Sequence, residues 1–137
     1  MTTVRRFFLS LMIGLSLMVP LAHLSVAAEQ ESFMTDLDLP LFPGTLEIED
    51  ERVVFDSPGG RIIKAMASGK VAALEVYDYY RVVVPSLGWK VSQNPVPDDQ
   101  CDEESLYCLT ARRDSEYLVI TISFDRQTVI RYSVTPE

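Results

Sequence analysis

The stretch 106–134 restricts this chain more than any other. It holds three strand-like runs, 106–112, 117–124 and 128–134. Leu118, Ile120, Ile122 and Phe124 share one side of the second run, and Ile130, Tyr132 and Val134 share one side of the third. Period-two alternation of β-branched and aromatic residues marks strands buried on one face only. The links Arg113-Asp114-Ser115-Glu116 and Asp125-Arg126-Gln127 are short and polar, which predicts antiparallel hairpins. An earlier hairpin is expected where Arg52-Val53-Val54-Phe55 and 61–67 flank Ser57-Pro58-Gly59-Gly60. Pro at the second position and Gly59 at the third match a type II turn.

Only one stretch has a strong helical pattern. Ala73, Val76, Tyr80, Val83 and Leu87 recur at three- and four-residue spacing, opposite Glu75, Asp78 and Arg81. Pro85 falls near the end of the pattern, Gly88 suits the stop, and Trp89-Lys90-Val91-Ser92 starts the next strand. The order β-β-α-β-β-β-β predicts an α+β fold. One helix packs on one face of an antiparallel sheet of about five to six strands, and the other face is largely solvated.

The chain begins with Arg5-Arg6, an apolar run from 7 to 24, and Ser25-Val26-Ala27-Ala28. A basic start, an apolar centre and a small-residue exit make a secretory signal, so 1–28 is expected to be removed after Ala28. Residues 29–38 then read as a flexible acidic leader and 39–137 as a single domain. An uncleaved anchor is the competing interpretation, but Pro20 and His23 interrupt the run, which barely reaches spanning length. The expected location is therefore periplasmic or extracellular, with no stable membrane insertion after cleavage.

Removal of the signal leaves 109 of 137 residues. Two of the 12 bases leave with it, so 10 bases face 20 acids and the net charge is −10. So acidic a surface repels nucleic acid and anionic lipid headgroups. Cys101 and Cys108 are seven apart, the wrong spacing for a C-x-x-C redox pair. In an oxidising compartment they are expected to form a disulfide.

The chemistry the sequence lacks is informative. His23, the single histidine, lies in the signal. Histidine-dependent triads, histidine general bases and histidine-ligated metals are thereby excluded from the mature domain. No glycine-rich phosphate loop occurs. Asp98, Asp99, Asp102, Glu103 and Glu104 offer hard oxygen ligands for calcium, but without the D-x-[DN]-x-[DN]-G order a solvated acidic loop is the simpler expectation. Ser68 and Lys70 are conceivable as a nucleophile and its base, against the plainer assignment of a helix cap beside a solvated lysine. No cofactor is expected.

On the helix, Tyr77 and Tyr79 flank the buried stripe and Val82 lies near its polar side, a candidate contact surface. The plainer assignment is that they cover the margin of the sheet. The leucine-rich segment 37–42 is a second candidate contact, with packing along the sheet edge as its alternative.

The run Tyr79-Tyr80-Arg81-Val82-Val83-Val84-Pro85-Ser86-Leu87-Gly88-Trp89 resembles the helix-to-strand junction of small exported bacterial envelope proteins of unknown function. Their aromatic-Tyr helix ends in a Leu-Gly-Trp step, and Pro43-Gly44 and Pro58-Gly59-Gly60-Arg61 are similar too. The resemblance implies an exported α+β domain and assigns no catalytic residue. The expected function is thus a non-enzymatic envelope domain that binds a protein or another envelope component. A small carboxylate-dependent enzyme, or an accessory domain of an envelope hydrolase, is the alternative.

Overall fold

The hairpins expected from the alternating runs are the frame of the structure. A computed structural model describes residues 33–34, 36–92 and 101–137. Its strands are β1 (Phe33–Met34), β2 (Leu39–Pro40), β3 (Leu46–Glu47), β4 (Val53–Ser57), β5 (Gly60–Gly69), β6 (Lys90–Val91), β7 (Tyr107–Arg113), β8 (Glu116–Phe124) and β9 (Thr128–Pro136). A 3-10 turn, Glu49–Glu51, precedes β4, and the helix α1 (Ala73–Ser86) follows β5. The main antiparallel sheet has seven strands in the order β3-β5-β9-β8-β7-β6, with β4 beside β3 on the outer edge of β5. β1 and β2 form a separate two-stranded ribbon. The protein is therefore α+β, with one described helix packed on an antiparallel sheet.

Cross-strand register puts Ile63, Ala65 and Ala67 on the same face as Ile130, Tyr132 and Val134, and on that of Leu118, Ile120 and Ile122. All nine are buried. Phe124 continues the alternation but is exposed, because the strand ends there as the chain turns towards β9. Helix α1 lies against β6, β7 and β8. A helix is about 10–12 Å wide and strands are about 4.8 Å apart, so one helix cannot cover seven strands. The remaining apolar surface is covered by the 33–42 segment, whose Met34 and Leu37 sit with Ile63 and Ala65.

That placement corrects the leader. Met34 is 2% and Leu37 3% exposed, so the folded domain already includes residues assigned to a flexible stretch. Leu37, Leu39 and Leu41 are all buried, so the 37–42 segment packs inside its own domain. The anchor is a hydrogen-bond chain. The Tyr80 hydroxyl donates to the carbonyl of Pro40 at 3.1 Å and lies 2.7 Å from the Tyr132 hydroxyl. A carbonyl only accepts, so Tyr132 donates to Tyr80. Burial pushes both hydroxyls above the usual tyrosine range, and at Tyr132 the neighbouring Tyr80 adds to the effect.

Three local expectations also shift. The buried stripe of α1 is Val76, Tyr80 and Val84, while Val83 sits half-buried on its flank. Steps of four residues keep these three on one line of the helix. Pro85 lies in the last turn, and Gly88, at φ +87°, reverses the chain. In the β4–β5 turn the positive φ belongs to Gly60 (+137°), not Gly59, so the turn is not type II. Ser68 lies within β5, and the helix N-cap is Ala72, so the serine is not a cap.

Trp89 is 2% exposed, directly after the helix stop. The Arg113 guanidinium lies 4.3 Å from its ring centroid and pairs with Glu116 at 3.2 Å. The ring is thus closed over by a cation that is itself held in place.

Candidate functional site

The same register that buries one face turns the intervening residues to the other. Lys64 and Met66 of β5 stand beside Arg131 and Ser133 of β9, which stand beside Val119 and Thr121 of β8. This face carries no helix, yet it is not simply solvated. The 3-10 turn and β4 raise one rim, through Glu51 and Val53, and the disulfide loop raises the other, through Asp102. Between them lies a concavity of about 440 Å³.

The second rim depends on the cysteines. Cys101 and Cys108 are bonded, with Cα atoms 6.0 Å apart, and Cys108 belongs to β7. The bond pins residues 101–106 onto the sheet, where the Leu106 amide donates to the Ile122 carbonyl at 2.8 Å. Asp102 then reaches over the groove. It accepts from Thr121 Oγ1 at 3.4 Å and faces the Arg131 guanidinium at 3.8 Å. Arg131 also donates to Ser123 Oγ at 3.2 Å. Lys64 is exposed and has no ion-pair partner among the described residues. The floor therefore combines apolar area, from Met66 and Val119, with two cations of which one is unengaged.

The residues selected from sequence lie elsewhere. Tyr77 stacks on Tyr107 with centroids 5.1 Å apart, and the Arg81 guanidinium sits 5.7 Å above it. Tyr79 packs edge-on against Phe42 at 5.3 Å and against Tyr80 at 5.1 Å. Val82 is 73% exposed. The two tyrosines thus pack at opposite margins of the helix, and with Val82 they do not form one strip. Among the calcium candidates, Asp98 and Asp99 lie outside the described residues. Asp102, Glu103 and Glu104 are exposed, and among the described residues no three His, Cys, Asp or Glu gather as a metal site.

Sequence reasoning missed the groove residues because each is an ordinary outward position of a strand. One signal was present: Met66 and Val119 are apolar where a solvated face calls for polar side chains. Among the described residues, no helix is long and apolar enough to cross a membrane. Comparison with family models, with curated proteins and with solved structures finds no match.

Proposed function

We propose that this chain is an exported, non-enzymatic domain of the cell envelope that holds a protein or another envelope component in the groove on the helix-free face of its sheet. The observation that carries this reading is the groove itself: a 440 Å³ concavity whose floor joins apolar area to the unengaged Lys64. Ligand sites are concave and mostly apolar, with a few polar groups that fix orientation. A fitting ligand presents an apolar group to Met66 and Val119 and an anionic group to Lys64. In a chain this acidic, a local cation is also a selective feature, since the rest of the surface repels the same ligand.

Export is supported by the N-terminal pattern and by the Cys101–Cys108 bond, which belongs to an oxidising compartment. Binding rather than catalysis is supported by the state of the groove's carboxylates. Glu51 and Asp102 are exposed on opposite rims, and Asp102 is engaged by Arg131 and Thr121. A general acid needs a shielded carboxyl, which neither provides. The test is affinity capture from envelope extract with wild-type protein and with Met66→Asp as baits. The reading predicts a partner retained by the first and lost by the second. Equal retention by both would reject the groove as the site.

A further inference from the structure

The outer edge of the sheet beside β5 has an unusual composition. Among the described residues nothing pairs with the outer side of β4. Yet Val53 is 52%, Val54 40% and Phe55 59% exposed, so three consecutive apolar residues stand open on an unpaired edge. Other open edges are blunted: β6 and β3 each have two residues. Short edges are a common protection against strand addition, and β4 has neither that protection nor a proline or lysine.

The backbone of β4 is also in phase for pairing. Ser57 and Gly60 close the two-residue turn, so they form a hydrogen-bonded pair, as do Phe55 with Ile62 and Val53 with Lys64. The intervening residues, Val54 and Asp56, therefore point their N–H and C=O groups outward. A second antiparallel β4 centred on Val54 meets these groups in register. Val54 faces Val54 of the second copy as a hydrogen-bonded pair. Val53 faces Phe55 of the second copy in the closer, non-hydrogen-bonded position, where apolar side chains pack best. Arg52 faces Asp56 of the second copy, but each is already paired within its own chain, Arg52 with Glu47 and Asp36 and Asp56 with Arg61, so this position is free of like-charge repulsion rather than a new ion pair. The segment Arg52-Val53-Val54-Phe55-Asp56 is thus complementary to itself in apolar surface and in the outward groups of Val54 and Asp56 and the Arg52 carbonyl, the Arg52 amide being already bonded to the Glu49 carbonyl.

We propose that β4 is the interface of a two-fold dimer, in which two sheets join edge to edge. Self-complementarity selects a second copy over an unrelated strand. A single two-fold axis uses up the β4 edge of both chains, so an assembly built through β4 closes at two. Both grooves then lie on the same face of the joined sheet, because directly opposed residues share a face, and Val53 stands between them.

Sedimentation velocity over a concentration series, on the protein as purified from the producing cell, tests this. The expected result is a mass that rises from one chain to two. Val54→Pro removes the central outward N–H without costing a bond inside the protomer, and Phe55→Lys places like charges in contact range across the axis. Both variants should remain at one chain with unchanged circular dichroism. In the wild type, exchange of the Val54 and Asp56 amides should slow about tenfold when nine-tenths of the chains are paired. The already bonded Phe55 amide should not respond. A single chain at every reachable concentration, variants that dimerise like wild type, or concentration-independent exchange at Val54 would each overturn the proposal.

Discussion

Replacing Tyr80 by Phe tests how the 33–42 segment is fastened to the core. Tyr132 donates to Tyr80, and Tyr80 donates to the Pro40 carbonyl. Tyr80→Phe therefore strands two groups, the Tyr132 hydroxyl and the Pro40 carbonyl. A buried orphan costs about 1–3 kcal/mol; Pro40 is half-buried, so water recovers part of its share and the total should be about 2–3 kcal/mol. Tyr132→Phe removes only a donor. Tyr80 keeps its bond to Pro40, so the loss should be that of one ordinary hydrogen bond, about 0.5–1.5 kcal/mol. In the double variant the stranded Tyr132 hydroxyl no longer exists, so adding Tyr132→Phe to Tyr80→Phe should cost nothing or restore stability. Urea unfolding followed by circular dichroism measures all three. Equal single costs that add in the double variant would refute the chain of donors. The pair also sets a pH dependence. Burial raises both hydroxyls above the usual value of about 10, so the unfolded chain ionises first. Stability from this pair is complete below about pH 10 and declines as pH rises beyond it, and Tyr132→Phe should flatten the decline.

Trp89→Ala should cost about 3–5 kcal/mol, because the ring is buried and capped by Arg113; thermal unfolding checks it, and a shift under about two degrees would contradict a core role for the ring. Cys101→Ala should lower stability by an amount at the low end of ~2–3 kcal/mol, since the closed loop is small, without abolishing folding; urea midpoints of the two proteins decide it. Gly69→Ala should destabilise by about 1–3 kcal/mol, since a Cβ there would lie 2.4 Å from the Gly44 carbonyl oxygen, a backbone atom unable to rotate away; an unchanged melting temperature would contradict that packing.

The elements legible in the sequence were those with strictly local signals. The β4–β5 hairpin, α1 and the three final strands announce themselves through periodicity and short links. The β5–β9 pairing, which makes the C-terminal strand central, joins residues far apart in sequence and has no local mark. The same holds for Met34 and Leu37, whose burial depends on the bare end of the sheet that α1 leaves uncovered. Tyr79 looked available because its partner, Phe42, arrives from a different segment. The groove was least visible. Lys64, Arg131 and Val119 are brought together by strand order, and the rim above them is raised by a disulfide loop whose acidic sequence suggested solvation or calcium instead.

The most direct test of the account is an amide chemical-shift map of the ¹⁵N-labelled protein titrated with a fractionated envelope extract. Binding in the groove predicts shifts concentrated at Met66, Val119, Thr121 and Arg131, all abolished by Met66→Asp. Shifts centred on Val82 and the exposed side of α1, with the groove silent, would contradict it.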